Sequence, residues 1–234
     1  MQGRLFFCFL WTLVFTACGS DKKAESTEPA AVFIYTDYKV SAEEESDSVT
    51  VMLQYRDESL EEQNIRFADE AQVTLDGKPL GAGQTKMLGT YYEIRLPLEG
   101  FTGKHEIMFT DKRGKKHPDY FLFEPLKLAV ELPDTISSPD LKLEFEPLHT
   151  DRPVIRVVLN DTSYLGEGVN KAFRLRENQL VIDTTAISSL HEGPVMLQCW
   201  LESETETNDP ATAGGLIAVT YSFRRQFYLR KSAK

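Results

Sequence analysis

The chain has 234 residues, of which 26 are Lys or Arg and 36 are Asp or Glu, giving a formal net charge of -10. A negative field of this size repels polyanions, so the composition argues against nucleic acid as a partner. About 217 residues remain once a leader is set aside, enough for two domains of about 100 residues that each bury a core.

The N-terminus carries one positive charge, Arg4, followed by an apolar run from Leu5 to Ala17. The run has the length of a signal-peptide core and falls short of the about 20 residues that a membrane-spanning helix needs. It ends in the sequence FTACG, in which Cys18 is the fourth residue. This ending resembles a bacterial lipobox, although Phe15 stands where leucine is usual. The resemblance implies that residues 1–17 are a signal peptide and that Cys18 carries lipid, palmitate included.

Lipidation would fix the location of the protein. Three acyl chains make release from a membrane negligible, so we expect a protein of the cell envelope, anchored to the outer membrane and facing the periplasm or the surface. Residues 18–31 are polar and lack apolar periodicity, which predicts a disordered tether. The alternative is ordinary secretion with cleavage after Ala17.

Cys199 is the one cysteine left after the leader and the proposed anchor, so no disulfide is expected. It belongs to the alternating series Val195, Leu197, Cys199 and Leu201, which predicts a buried apolar residue.

Period-two alternation, interrupted by Gly, Pro, Asn and Asp, recurs along the rest of the chain and predicts an all-β protein. Asp76-Gly77 and Glu177-Asn178 are predicted hairpin turns, and Ala186–Leu190 is a predicted helical turn. Seven strands are predicted in the first half, near Val32–Val40, Val49–Tyr55, Gln72–Leu75, Gln84–Leu88, Tyr91–Leu98, Lys104–Thr110 and Asp119–Phe123. Seven more are predicted in the second half, near Leu128–Leu132, Leu141–Phe145, Val154–Asn160, Ala172–Arg176, Leu180–Asp183, Pro194–Glu202 and Leu216–Arg230.

An internal match supports two domains of one kind. Residues 102–109 align with residues 192–199, and in each segment a glycine opens a strand with apolar alternate residues. The aligned inward pairs are His105/Val195, Ile107/Leu197 and Phe109/Cys199. The pattern resembles the immunoglobulin-like domains of bacterial surface lipoproteins, without the cysteine pair of antibody domains. The resemblance implies two consecutive immunoglobulin-like antiparallel β-sandwiches, at residues 32–126 and 127–234.

No local motif points to catalysis, a cofactor or a transition metal. The sequence has no Gly-x-Ser-x-Gly elbow, and its four histidines, His105, His117, His149 and His191, stand in no motif. The acidic clusters are calcium candidates only if their oxygens converge, and otherwise they are solvated loops. These clusters are Glu43 to Glu45 with Asp47, Asp57 to Glu62, and Glu202 to Asp209.

Lys112, Arg113, Lys115 and Lys116 form the one concentrated basic stretch, with Gly114 at its centre. It is predicted to be a hairpin tip. One interpretation is contact with anionic lipid or an acidic partner. The other is a solvated tip whose lysines prevent edge pairing.

Two further surface features are hypotheses. The tripeptides at Asp47, Asp134 and Asp183 resemble an O-glycosylation signal of some diderm bacteria, and such residues also cap turns and helices. Aromatic side chains could form a sugar-binding platform if exposed, and otherwise belong to the core. They are Tyr91, Tyr92, Phe101, Tyr164 and Trp200.

The functional prediction is a noncatalytic binding or scaffold module that contacts an envelope protein or a glycan. The alternatives are a structural spacer or assembly factor, and an enzyme with a site at the domain junction. The fold alone does not choose among them. The oligomeric state is left open.

Overall fold

The computed structural model describes residues 34–57, 63–64, 72–111, 113–137, 140–150, 153–161, 168–207 and 213–231. Cys18, the tether, Lys112 and Tyr164 lie outside the described residues, so the predictions that concern them stay predictions.

The first half of the chain forms two antiparallel sheets. Alternation of buried and exposed residues, as in Ile34–Glu43, places one face of each strand in the core. The strands are β1 Ile34–Glu43, β2 Ser48–Asp57, β3 Gln63–Asn64, β4 Gln72–Leu75, β5 Lys78–Pro79, β6 Gly81–Thr85, β7 Gly89–Pro97, β8 Gly103–Thr110 and β9 Lys116–Phe123.

The second half has seven strands and one short helix. They are β10 Thr135–Ile136, β11 Leu141–Glu144, β12 Val154–Asp161, β13 Val169–Arg174, β14 Gln179–Ile182, α1 Thr184–Ser188, β15 Gly193–Glu206 and β16 Gly214–Leu229. The all-β prediction is confirmed. The predicted helical turn is α1, which begins two residues earlier than expected.

The strand order is that of an immunoglobulin-like sandwich in both halves. In the first half, the order β1-β2-β7-β6 faces the order β5-β4-β8-β9. In the second half, one sheet has the order β13-β12-β15-β16 and the other is the two-stranded sheet β11-β14. β8 lies between β4 and β9, and β15 lies between β12 and β16. The aligned segments 102–109 and 192–199 therefore occupy equivalent positions.

The two halves share one sheet. β16 is long enough to pair with β15 along its whole length and also with β1, in parallel, from Tyr35↔Gly214 to Glu43↔Ser222. This parallel ladder joins β1-β2-β7-β6 to β16-β15-β12-β13. The buried apolar residues of both halves form one core cluster.

Both predicted hairpin turns are present. Asp76 and Gly77, with φ of 49° and 77°, join β4 to β5, and Glu177 and Asn178, with φ of 49° and 60°, join β13 to β14. Such left-handed pairs match the twist of the strands they connect.

Two predicted strands differ from the structure. The strand predicted at Gln84–Leu88 is β6 at Gly81–Thr85, and residues 86–88 form the turn that follows. Of the strand predicted at Leu128–Leu132, only Leu128 pairs, in an isolated bridge with Phe145. No helix among the described residues is both long and apolar enough to cross a membrane.

Candidate functional site

A cleft of about 710 Å³ lies where the first sandwich meets the connection to the second half. Its walls are the β1–β2 turn, the end of β7 with the loop that follows, the segment after β9, and the middle of β16. The charged lining residues are Asp47, Arg95, Glu99 and Lys127, and the aromatic one is Tyr221.

The walls of the cleft are tied together by backbone hydrogen bonds. The Leu98 N–H donates to the Asp47 carbonyl at 2.8 Å, and the Phe101 N–H donates to the Leu98 carbonyl at 3.1 Å. Phe101 is buried below this loop. The loop is therefore held to the β1–β2 turn before any ligand arrives.

The charges in the cleft are balanced. Arg95 and Lys127 supply two cations, Asp47 and Glu99 supply two carboxylates, and all four side chains belong to exposed residues. Arg95 also lies 3.4 Å from the Glu93 carboxylate. On a chain with a net charge of -10, such a cleft does not repel a neutral or a zwitterionic ligand.

Tyr221 forms part of the cleft and is only 3% exposed. Burial raises the pKa of its phenol, the Glu44 carboxylate raises this pKa further, and the Arg225 guanidinium lowers it in part. The phenol is therefore neutral at physiological pH.

An ion cluster next to the cleft connects three segments. The Arg225 guanidinium donates to both oxygens of Glu44 and to both oxygens of Glu131, the latter at 2.9 and 3.0 Å. Hydrogen bonds from Arg225 lower the pKa of Glu131, and hydrogen bonds to Glu44 and Glu131 raise the pKa of Arg225. The Arg225 guanidinium also lies over the Phe223 ring, at 5.0 Å from its centroid. The cluster fixes β16 against the β1–β2 turn and the segment that links the halves.

Glu124 makes a second connection at the junction. Its buried carboxylate accepts hydrogen bonds from the backbone N–H groups of His149 and Thr150, from the Thr150 hydroxyl, and from the His149 ring at 2.6 Å. Burial alone would raise the pKa of Glu124, but these hydrogen bonds outweigh it and the pKa is lowered. The loop before β12 is thereby anchored to the end of the first sandwich.

The histidines do not converge. His105 is stacked on Phe101 and hydrogen-bonded to Asp76. His149 is hydrogen-bonded to Glu124, and His191 is hydrogen-bonded to Asp161. The residues that the structure describes hold no group of three side chains able to bind a metal ion.

Cys199 lies in the core, as its alternating neighbours predict. The residue is fully buried, and this burial raises the pKa of its thiol to about 12. The thiol is therefore neutral and inert toward oxidants and electrophiles.

The acidic clusters are partly engaged in ion pairs. Glu44 binds Arg225, and Glu202 accepts from Arg156 at 3.1 Å. Glu58 to Glu62 and Asp209 lie outside the described residues.

Arg113 and Lys115 of the basic stretch lie at the predicted hairpin tip between β8 and β9, and Lys116 is the first residue of β9. Asp111 accepts from the backbone N–H groups of Arg113 and Lys115, both at 2.9 Å, and Gly114 has φ of 75°. Arg113, Lys115 and Lys116 are exposed. Their contact with a lipid or an acidic partner stays a prediction.

The four described residues of the hypothetical aromatic platform do not form an exposed surface. Tyr92 and Phe101 are core residues, and Tyr91 and Trp200 are half-buried. The exposed aromatic side chains in the described part of the chain are Tyr120 and Tyr228, on different strands.

The Asp183 tripeptide supports the capping interpretation, since the Asp183 carboxylate accepts from the Ala186 N–H at 2.9 Å and caps α1. Glycosylation at this tripeptide or at those of Asp47 and Asp134 stays a hypothesis.

No local sequence signal points to Arg95, Glu99 and Lys127, because the fold brings the end of β7 and its following loop together with the segment after β9. Asp47 stands out in the sequence as part of an acidic cluster and of a tripeptide that resembles a glycosylation signal, and neither pattern predicts a cleft.

No protein-family model matches the chain, and no curated protein sequence matches it. Among solved structures, the chain is similar to DIP-gamma IG1+IG2, at 8% identity over 81% of this chain and 94% of that chain, with a TM-score of 0.22. It is also similar to the adhesin InvE of Yersinia pseudotuberculosis, at 16% identity over 80% of this chain and 58% of that one, with a TM-score of 0.26.

A third similar structure is SGBP-B from a mixed-linkage glucan utilization locus of Bacteroides ovatus, in complex with a mixed-linkage heptasaccharide. The identity is 9% over 82% of this chain and 60% of that one, with a TM-score of 0.22. The chain thus spans less than two thirds of the adhesin and of SGBP-B. At these TM-scores the likenesses do not bear on what this chain binds.

Proposed function

We propose that the protein is a lipid-anchored, noncatalytic binding module of the cell envelope, and that its ligand occupies the junction cleft. The observation that carries the proposal is the cleft itself, a preformed concavity with balanced charge between two structural units. Such junctions are frequent sites of ligand binding.

The cleft suits a polar, elongated ligand. Its walls combine the apolar side chains of Leu96, Pro97 and Leu98 with exposed charges and loop backbone. The backbone bonds of Leu98 and Phe101 hold the wall in place, so little conformational freedom is lost on binding. A segment of an envelope protein or a glycan fits this description.

The noncatalytic part of the proposal rests on the two carboxylates of the cleft. Asp47 and Glu99 are both exposed, whereas the raised pKa of a carboxyl group that acts as a general acid commonly comes from a desolvated site. Cys199, the one thiol beyond the leader and the proposed anchor, is buried and neutral.

The membrane anchor rests on the sequence alone. The apolar run that ends at Cys18 supports lipidation. Residues 19–33 would then connect the lipid to Ile34, the first residue of β1.

Site-specific photo-crosslinking tests the binding proposal. A benzophenone amino acid replaces Glu99 in the cleft or, as the control, Lys142, which is exposed on β11. In intact cells, we expect an adduct with an envelope protein from position 99 and none from position 142. A glycan array probed with the purified protein, compared with Arg95→Ala/Lys127→Ala, covers a carbohydrate ligand. No adduct and a blank array would contradict the binding module and favour a spacer.

A further inference from the structure

β6 is the last strand at one end of the ten-stranded sheet. Among the residues that the structure describes, it pairs only with β7, and its sequence Gly-Ala-Gly-Gln-Thr contains no charge and no proline. Four of its five residues are exposed, and Gly83 is half-buried. An edge strand directs unpaired N–H and C=O groups outward, which is a template for another strand.

The strands at the other ends of the two main strand orders are protected. β13, at the opposite edge of the ten-stranded sheet, carries Lys171 and Arg174. In the four-stranded sheet, β9 contains Pro118 and β5 consists of Lys78 and Pro79. Lysine and proline are the usual means of preventing edge pairing, and β6 has neither within its five residues.

Tyr91 restricts which strand can pair with β6. A Cβ atom on Gly83 would lie 2.6 Å from the ring carbon Cζ and 2.8 Å from the phenol oxygen of Tyr91. The end of the ring therefore lies above β6, one strand away from its own backbone. An aromatic ring over an edge glycine covers the space that the missing side chain leaves. An incoming strand must present a small residue opposite Gly83, beside the ring.

We propose that β6 pairs in antiparallel with β6 of a second copy of this chain, with Gly83 of both copies on the two-fold axis. In this register Ala82 faces Gln84 of the other copy, and Gly81 faces Thr85. Each copy supplies the small residue that the other requires, and the two Tyr91 rings cover the glycine pair. Each copy has a net negative charge, but β6 contains no charged residue, so the pairing places no like charges opposite each other.

The size of the contact sets its strength. Stable interfaces bury about 1,200–2,000 Å², and two strands of five mostly small residues bury much less. The pairing is therefore weak in dilute solution and depends on the high local concentration that a shared membrane provides. In this respect the inference rests on the proposed anchor at Cys18.

Cysteine crosslinking in membranes tests the dimer. The full chain, with its leader, carries Ala82→Cys and Gln84→Cys, which would lie directly opposite each other across the axis, with Cβ atoms about 5 Å apart. The matched control carries Asn170→Cys and Ala172→Cys on β13. Cys199 does not interfere because it is fully buried. Membranes are treated with copper phenanthroline, and dimers are measured on a nonreducing gel.

We expect at least about tenfold more dimer from the β6 pair than from the β13 pair, and a loss of dimer after dilution in detergent. Each single variant, whose cysteines would lie diagonally about 7–8 Å apart, should give less dimer than the double variant. Equal yields from both edges, or no dimer from a double variant with an unchanged melting temperature, would overturn the pairing. Failure of the anchor is detected separately, with the chain that carries no substitution. Without lipid on Cys18, this chain would be absent from the membrane fraction, or its free Cys18 thiol would form a disulfide-linked dimer.

Discussion

Glu124 shows how one carboxylate can organise a junction. It accepts from two backbone N–H groups, one hydroxyl and one imidazole, all on His149 and Thr150. In Glu124→Gln, an amide with one acceptor oxygen replaces a carboxylate with two. We therefore expect a loss of about 1–3 kcal/mol in the free energy of unfolding at pH 7. Chemical denaturation measures this, with Glu146→Gln as the control, since Glu146 is exposed and lies three residues before His149.

The same variant makes a pH-dependent prediction. The pKa of Glu124 is lower in the folded protein than its ordinary value of about 4.3. The carboxylate therefore contributes its full stability above that ordinary pKa and loses it as the pH falls through the folded value. The stability difference between the original chain and Glu124→Gln should shrink below about pH 4. A difference that stays constant from pH 7 to pH 3 would contradict this role.

At the scale of elements, the ladder between β1 and β16 depends on a glycine. A Cβ atom at Gly215 would lie 2.4 Å from the backbone oxygen and 1.8 Å from the side-chain oxygen of Thr36. Gly215→Ala should therefore force the two strands apart and cost about 1–3 kcal/mol. Gly81→Ala on β6 is the matched control, since the nearest atom to its Cβ is 3.9 Å away. Equal melting temperatures for the two variants would refute the tight approach.

Alternation predicted most strands because one face of each is buried in the sandwich. The internal match also identified two equivalent strands, β8 and β15, from their spacing. The position predicted for this edge strand, Gln84–Leu88, differs from that of β6 because a strand of mainly Gly and Ala has no apolar alternation to detect. Residues 129–132 alternate in sequence, yet the structure leaves them outside any strand.

The features that join the halves were not predictable in the same way. Besides β2, β1 pairs with β16, about 180 residues later in the chain, and no local pattern specifies such a pairing. The cleft likewise combines residues from four separate segments of the chain. Of the aromatic residues proposed as a platform, Tyr92 and Phe101 belong to the core, since rings in strands contribute most when buried.

At the scale of the whole molecule, we expect the two halves to unfold together. The nine residue pairs of the β1–β16 ladder and the Arg225 cluster connect them. Trp200, on β15, reports on the second half by fluorescence, and far-ultraviolet circular dichroism reports on all strands. The two denaturation curves should coincide. A separate transition seen only by circular dichroism would indicate that the halves unfold independently.

The proposed anchor at Cys18 underlies both the proposed location of the binding module and the proposed dimer. Metabolic labelling with an alkyne fatty acid, followed by coupling to a fluorophore, compares the original chain with Cys18→Ser. We predict strong labelling of the original chain in the membrane fraction and none of Cys18→Ser. Equal labelling of both chains, or of neither, would contradict the account.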